Sequence, residues 1–196
     1  MPNWCYNYVT ISGSNDGVRK IYSKLKSAED LSIGVFYGTI GINSLKLKDD
    51  WYQHNIEHYG TKWDVEIGDS NYELQTLHDK SIILTFAFDS AWSPPLQWCE
   101  TLSSIYGVSV NITFSEPGSD FYGIHNYNCG EITDCEEYSY EEGLYRHDPE
   151  AFWENIQSLM IDDEEKPTRE SILSRYPYFQ DSDISEYLSI YEELIS

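Results

Sequence analysis

The stretch SIILTFAF, residues 81–88, decides the fold of this chain, because nearly all of its side chains are apolar. A short continuous apolar run is typical of a central strand that is covered on both sides. Two other segments, residues 4–11 and 108–114, alternate in polarity instead. In the first of them Cys5, Val9 and Ile11 share one face, with Asn7 among them, as in a strand that buries one face. The sequence therefore predicts a sheet with residues 81–88 near its centre.

Helical patterns separate these strands. Apolar residues recur at helical spacing between positions 18 and 25, after a Gly-Ser-Asn turn. Ser93 and Pro94 suit the cap and the first position of a second helix, and Gly107 suits its end. Residues 63–67 alternate and predict a strand, residues 120–127 predict another, and residues 29–47 predict an irregular loop with strand fragments. The order strand, helix, strand, strand, helix, strand predicts an α+β fold, the ferredoxin-like split βαβ sandwich, with an antiparallel sheet and helices on one face.

Charge is unevenly distributed along the chain, whose formal net charge is −22. Residues 116–196 hold 21 of the 34 acidic residues but only 4 of the 12 Lys and Arg residues. Beyond residue 132 the sequence is acidic and rich in Tyr, and apolar residues at helical spacing follow Pro149, precede Pro177 and continue from Ile184. We therefore expect a ferredoxin-like domain at residues 1–132 and an acidic, mainly helical C-terminal appendage at residues 133–196.

Composition also excludes several classes of function. No run of 18 apolar residues is present, so no membrane span is expected, and the N-terminal sequence lacks the features of a signal peptide. We therefore expect the protein in the cytoplasm of a bacterial or phage-infected cell. The acidic excess disfavours direct binding to nucleic acid or anionic lipid and favours a basic protein partner. Because no phosphate-binding loop or nucleophile motif occurs, the sequence predicts a non-enzymatic protein without a cofactor, and it leaves the oligomeric state open.

Four segments together carry a resemblance to a known family. They are MPNWCYNYVTISG at residues 1–13, GTKWD at 60–64, FDSAWSPP at 88–95 and FSEPGSDFYGIHNYNCGE at 114–131. Over roughly residues 1–132 the chain resembles the YubB-type ferredoxin-like domain of uncharacterised bacteriophage, prophage and plasmid proteins. The resemblance implies the same fold and a mobile-element origin, and it implies no catalytic residues. The acidic segment after residue 132 lies outside the family pattern.

The acidic segment carries the main functional hypothesis. Spaced carboxylates on a folded surface can imitate the phosphate charges of a nucleic acid, and interleaved Tyr residues can anchor a protein contact. The sequence thus predicts a protein that inhibits or docks onto a basic, nucleic-acid-handling bacterial protein, such as a defence nuclease. The competing interpretation is a solvated acidic face without a partner. The predicted partner-binding residues are Glu136, Glu137, Tyr138, Tyr140, Glu141, Glu142, Asp162, Asp163, Glu164 and Glu165.

Three alternatives use other residues. The sequence HNIEH matches the inverted zinc-peptidase motif, in which His54 and His58 would bind zinc and Glu57 would act as the base of a hydrolase. Exposed aromatic residues on the first strand, Trp4, Tyr6 and Tyr8, would let the sheet face stack RNA bases. A cleft for a small ligand would use the residues of the two Trp-bearing motifs, namely Lys62, Asp64, Asp89 and Trp92.

Overall fold

The computed structural model describes residues 3–42, 50–66, 68, 71–160 and 166–194. The chain divides into two compact units, Met1–Glu137 and Tyr138–Ser196. The strand that ends the first unit spans positions 132 and 133, where the sequence predicted a domain boundary. Each unit is described by itself.

A six-stranded antiparallel sheet forms the first unit, in the order β2-β3-β1-β4-β5-β6. Strand β1 lies between β3 and β4 and is antiparallel to both. With the two helices that follow β1 and β3, the first four strands have the connectivity of a ferredoxin-like domain, so the predicted fold is confirmed. The apolar strand β3 is internal, also as predicted. The strands are β1 (Trp4–Gly13), β2 (Asn71–Thr76), β3 (Ile82–Ala91), β4 (Val108–Glu116), β5 (Phe121–Asn128) and β6 (Glu131–Tyr138).

Local residues explain where the first helix of this unit begins and where the fourth ends. The Ser14 hydroxyl caps the first helix by accepting a hydrogen bond from the Gly17 N–H, and Gly107 ends the fourth in a left-handed conformation. The helices are α1 (Asn15–Leu31), α2 (Val35–Ile40), α3 (Trp51–His58) and α4 (Leu96–Tyr106).

The core lies between one sheet face and these helices. Trp98 of α4 is completely buried, and its ring centroid lies 5.0 Å from that of Phe36, 6.1 Å from Phe86 and 6.0 Å from Phe88. The indole Nε1–H of Trp98 donates to the Thr39 hydroxyl over 2.9 Å, so the polar atom of this large side chain is satisfied inside the core. Trp98 therefore joins α2, α4 and β3.

Three local predictions were wrong. Helix α4 begins at Leu96 and not at Pro94, and the Ser93 hydroxyl donates to the Gly60 carbonyl instead of capping the helix. Residues 63–66 form no strand, and Ile67 lies outside the described residues; the edge strand β2 instead comes from the polar stretch Asn71–Thr76. Only Tyr72 and Leu74 of β2 face the core, so its sequence has little of the apolar alternation that predicts a strand. The predicted loop contains helix α2, which buries Val35, Phe36, Thr39 and Ile40; residues 43–47 of that loop lie outside the description.

Strands β5 and β6 form a hairpin that extends the ferredoxin-like sheet beyond β4. Its two turn residues, Cys129 and Gly130, have φ values of 52° and 88°. Positive φ at both positions is the geometry that favours a tight two-residue hairpin turn. Residues 131–135 of β6 are all exposed, so the outermost strand of the sheet is open to solvent along this part.

The second unit is helical, which confirms the predicted C-terminal helical segment. Its core is aromatic: the rings of Tyr176 and Phe179 stack at 4.8 Å, and Phe152 and Tyr145 pack around Phe179 at 5.8 and 5.5 Å. No described helix in either unit has the length and apolar composition needed to cross a membrane. The helices are α5 (Tyr140–His147), α6 (Pro149–Met160), α7 (Arg169–Arg175) and α8 (Asp181–Leu194).

The Thr39–Trp98 hydrogen bond gives a test of the core. We expect Thr39→Val to lower the free energy of unfolding by about 1–3 kcal/mol, because the variant keeps the shape of Thr39 but leaves the buried indole N–H without an acceptor. Thr39→Ser keeps the hydroxyl and is the matched control. Urea unfolding followed by far-UV circular dichroism measures both. A Val variant as stable as wild type would contradict the prediction, and a loss in the Ser variant alone would assign the effect to the methyl group of Thr39 and not to the hydrogen bond.

Candidate functional site

The four segments that carry the sequence resemblance meet at one end of the sheet. The Trp92 N–H donates to the Asn3 carbonyl over 2.9 Å, and the Thr61 hydroxyl donates to the Ala91 carbonyl over 2.8 Å. The Asn3 side-chain amide donates to a carboxylate oxygen of Glu116 over 3.3 Å. These bonds join residues far apart in sequence, so the motifs build one local structure around the first residues of β1.

Buried polar side chains fix the ends of β1 and β3. Asn7 is completely buried, and its amide donates to the Cys5 carbonyl over 2.8 Å and to the Ser90 hydroxyl over 2.9 Å. The Ser90 hydroxyl donates in turn to the Ser93 carbonyl over 2.7 Å. This network explains why a polar Asn interrupts the apolar face of β1, since a buried amide is tolerated only when it is hydrogen-bonded.

Asp64 of the GTKWD segment is a structural carboxylate. Its Oδ1 accepts the N–H groups of Phe36 (2.7 Å) and Val65 (2.8 Å), and its Oδ2 accepts that of Tyr37 (2.9 Å). The donors at Phe36 and Tyr37 are otherwise unpaired groups in the first turn of α2. A Cβ on Gly34 would stand 2.2 Å from the Asp64 Cγ, so only glycine fits there. Burial raises the pKa of the Asp64 carboxyl to about 6 against the opposing effect of these hydrogen bonds.

Three tryptophans surround this end of the sheet and form what we call the tryptophan cleft. The ring centroids of Trp4 and Trp63 lie 6.5 Å apart at an interplanar angle of 45°. The Lys62 Nζ lies 4.3 Å from the ring centroids of both Trp63 and Trp92. The three indole side chains are exposed by 53%, 39% and 46% for Trp4, Trp63 and Trp92. A cleft of about 610 Å³ is lined by Trp4, Trp63, Asp64, Val65, Glu66, Asp89, Ser90 and Ala91.

The sequence predicted part of this cleft. Lys62, Asp89 and Trp92 lie at or beside it as expected, whereas the carboxylate of Asp64 is used by α2. Trp63 was assigned to a buried strand, and its role as a wall of the cleft was missed. The available signal was the occurrence of one Trp in each of the segments NWC, GTKWD and AWSPP.

Trp92 has a left-handed backbone conformation, with φ of 73°. For a bulky residue this conformation is unusual and costs about 1–2 kcal/mol. The hydrogen bond from its N–H to Asn3 contributes to holding the turn in place. The exposed indole is thus held against Lys62 in a conformation that a glycine would adopt more easily.

The sheet face predicted to stack RNA bases is open but lacks positive charge. Tyr6 and Tyr8 are exposed by 49% and 41%, and their cross-strand neighbours include Asp89 and Ser115. Strands β1, β3, β4 and β5 contain no Lys or Arg residue. Contacts with a phosphate backbone depend on such residues, so the geometry of this face gives the RNA hypothesis little support.

The acidic residues predicted to bind a partner fall into three groups. Glu136 and Glu137 lie on β6, and Tyr138 is its last residue. Tyr140, Glu141 and Glu142 form the first turn of α5, where negative charge favours the helix. Asp162, Asp163, Glu164 and Glu165 lie outside the described residues.

Several of these acidic side chains already have partners within the chain. A Glu142 oxygen lies 2.8 Å from an Arg146 nitrogen, and a Glu141 oxygen lies 3.8 Å from a nitrogen of Arg175. Glu137 remains largely exposed while its carboxylate contacts the buried His125 over 3.0 Å. The start of α5 is therefore partly committed to the fold, whereas Glu131 and Asp134 at the beginning of β6 are exposed.

The HNIEH segment forms helix α3 and places its two imidazoles together, with ring centroids 4.3 Å apart. Burial, and then the neighbouring His58, lower the pKa of His54. The Glu57 carboxylate accepts a hydrogen bond from the Gln53 amide over 2.9 Å. Within the described ranges, no group of three metal-binding side chains occurs. The described residues thus provide the zinc hypothesis with two adjacent imidazoles and no third metal ligand beside them.

Asp64 gives a pH-dependent prediction. Its pKa is raised from 3.8 to about 6 in the folded state, so the folded protein binds more protons than the unfolded chain between these values. The stabilisation from this group is therefore full below pH ~3.8 and is lost as the pH rises to about 6. We expect the ¹³Cγ signal of Asp64 to titrate near pH 6, and the stability difference between wild type and Asp64→Asn to shrink over the same interval. A midpoint below pH 4 would contradict this.

The conformation of Trp92 gives a second prediction. We expect Trp92→Gly to be more stable than Trp92→Ala by about 1 kcal/mol, because both variants lose the indole but only glycine relieves the left-handed conformation. Trp63, whose φ is not positive, provides the matched pair. There the order should reverse, with Gly less stable than Ala. Thermal or urea unfolding measures the stability of the four variants. The same order of stability of Gly and Ala at both positions would refute the strain at Trp92.

Comparison with known proteins agrees with this fold. A family model described as a ferredoxin-like domain in Api92-like protein matches residues 62–155. The crystal structure of a protein api92 from Yersinia pseudotuberculosis is similar at 12% sequence identity and a TM-score of 0.43, over 71% of this chain and 99% of that chain. No curated protein matches the chain. The chain therefore contains a ferredoxin-like domain that is similar, over residues 62–155, to the domain described in Api92-like protein.

Proposed function

We propose that the protein is a non-enzymatic binding protein that docks onto a basic protein through strand β6. The observation that carries the proposal is the outermost position of β6 together with its charge. Four of its eight residues are acidic and none is basic, namely Glu131, Asp134, Glu136 and Glu137. An outermost strand is a template for pairing with another chain.

Charge determines which chain this edge accepts. Carboxylates on an exposed edge repel a second acidic strand, which protects the protein from pairing with its own copies. The same carboxylates attract a segment rich in Lys and Arg. The charge of the edge therefore excludes acidic strands and selects basic ones. The net charge of −22 adds a long-range attraction that increases the rate of encounter with a basic partner.

Alternation along the strand places acidic residues on both faces. Side chains of a strand point to opposite faces in turn, so Glu131 and Glu137 lie on one face and Asp134 and Glu136 on the other. A basic strand added beside β6 would meet carboxylates above and below its own backbone. Strand addition, with backbone bonds for affinity and side chains for specificity, is an established mode of peptide recognition.

Charge density favours docking over close imitation of a duplex. The eight residues of β6 span about 26 Å at ~3.3 Å per residue, so their four carboxylates give about one charge per 6.6 Å. A DNA duplex carries one charge per ~1.7 Å of its axis. Imitation of a duplex would need the remaining predicted residues, including Asp162–Glu165, to contribute. The predicted contacts beyond β6 stay predictions.

The proposed partner is a nucleic-acid-handling protein of the bacterial cytoplasm, such as a defence nuclease. Such proteins carry the strongest clusters of Lys and Arg, because they bind phosphate backbones. An acidic strand seated in that groove would exclude the nucleic acid and so inhibit the enzyme. The proposal includes the mobile-element origin implied by the sequence segments that resemble YubB-type domains, since an inhibitor of host defence would benefit such an element.

Charge reversal on β6 tests the proposal. We expect Glu131→Lys with Asp134→Lys to reduce the recovery of basic proteins from a nuclease-treated bacterial lysate at least tenfold at low salt. The side chains of both residues are exposed, and they make no hydrogen bond or ion pair with another described residue. The proteins recovered with wild type should also be released when the salt concentration is raised, because exposed charges are screened.

The matched control is Glu154→Lys with Glu186→Lys, which changes the net charge equally at exposed positions of α6 and α8. This variant should retain at least half of the wild-type recovery. Equal losses in both variants would show that net charge alone attracts the recovered proteins, and the proposed site on β6 would be rejected. Retention by the β6 variant would reject it as well.

A further inference from the structure

The tryptophan cleft holds a cation of the chain itself. The ammonium of Lys62 lies 4.3 Å from the centroids of two indole rings. In the part of the chain that the structure describes, Lys62 makes no ion pair, although the carboxylates of Asp64, Glu66 and Asp89 line the neighbouring cleft. Indole faces are the strongest cation–π partners among side chains. These rings therefore supply a surface on which a cation rests without a carboxylate partner.

Beside Lys62 the cleft remains open. The rings of Trp4 and Trp63 form two tilted walls, and the buried residues Val65, Ser90 and Ala91 form its inner surface. The volume of about 610 Å³ is sufficient for a long side chain with its neighbouring backbone.

Of the three carboxylates in the cleft, those of Asp89 and Glu66 are available to a ligand. Asp64 is used by the N–H groups of α2. Asp89 lies on the open face of β3, opposite Tyr6 of β1, and is exposed. Its carboxylate forms no hydrogen bond or ion pair with any residue in the described ranges.

We propose that the tryptophan cleft binds the side chain of an arginine presented by a peptide segment of a partner protein. A guanidinium is planar, stacks on aromatic faces and pairs with a carboxylate through two parallel N–H groups. Two indole walls beside an unpaired carboxylate match these requirements together. A phosphate-bearing ligand would instead meet Asp89 and Glu66, so the charge of the cleft selects against nucleotides.

Lys62 affects where a second cation can bind in the cleft. Its positive charge repels a second cation at the Trp63–Trp92 pair and leaves the Trp4 side, next to Asp89, as the favourable position. The proposal therefore predicts that Lys62→Met strengthens the binding of an arginine side chain about threefold or more, because the variant removes the repulsion from a like charge a few ångströms away. An anionic ligand would respond in the opposite direction.

The experiment uses the full chain and three capped pentapeptides, Gly-Gly-Xaa-Gly-Gly, in which Xaa is Arg, citrulline or Lys. Citrulline keeps the shape of Arg but lacks its charge. Titration is followed by the indole N–H signals in ¹⁵N NMR spectra at about 0.15 M salt, where charges more than ~8 Å apart are screened. We expect the Arg peptide to shift the Trp4 and Trp63 signals saturably and citrulline to bind at least tenfold more weakly.

Variants locate the contact. We expect Asp89→Asn to weaken binding of the Arg peptide about fivefold or more and Lys62→Met to strengthen it, while Asp30→Asn, an exposed acid on α1, leaves it unchanged. Equal binding of Arg and citrulline, shifts confined to other tryptophans, weaker binding after Lys62→Met, or no saturation with any peptide would each overturn the proposal. Binding of the Lys peptide equal to that of Arg would overturn the preference for a guanidinium.

This site is independent of strand β6. The variant Glu131→Lys with Asp134→Lys should leave the affinity for the Arg peptide within twofold of wild type, and Asp89→Asn should leave the lysate recovery unchanged. Each proposal can therefore fail without the other.

Discussion

The hydrogen-bonded carboxylate of Asp64 is the interaction on which the tryptophan cleft depends. It accepts hydrogen bonds from three backbone N–H groups, those of Phe36, Tyr37 and Val65, and so holds the first turn of α2 against the segment that follows α3. Once Asp64 points inward, its neighbours Lys62 and Trp63 are placed at the surface. Removal of this carboxylate would leave the N–H groups of Phe36 and Tyr37 without acceptors and would release the wall of the tryptophan cleft at the same time.

Negative charge has different roles in different parts of this chain. Asp64 and Glu116 satisfy backbone or side-chain donors, and Glu141 and Glu142 pair with Arg175 and Arg146. The side chains of Asp89, Glu131 and Asp134 instead face solvent. The excess of acid in the sequence therefore does not by itself define a binding surface; the position of each carboxylate in the fold separates those that stabilise the protein from those that are available to a partner.

The parts of the fold that were predictable from the sequence have strong local patterns. Strand β3 is a continuous apolar run, β1 and β4 alternate in polarity, and apolar residues recur at helical spacing in α1, α4, α6 and α8. Strand β2 has no such pattern, because only Tyr72 and Leu74 of this edge strand face the core. Helix α2 was missed because its start is stabilised by Asp64, which lies 28 positions beyond Phe36 in sequence. The cleft was only partly predictable for the same reason, since the contact of Lys62 with Trp92 joins residues 30 positions apart in the sequence.

The hairpin of β5 and β6 separates the surface charge of this edge from the packing of the core. The tight turn at Cys129 and Gly130 and the pairing with β5 position the β6 backbone, while the side chains of residues 131–135 contribute nothing to the core. Substitutions there change the surface without creating a cavity or an unpaired buried group. The charge of this edge can therefore be altered by a few exposed residues, while the ferredoxin-like sheet that carries them remains the same.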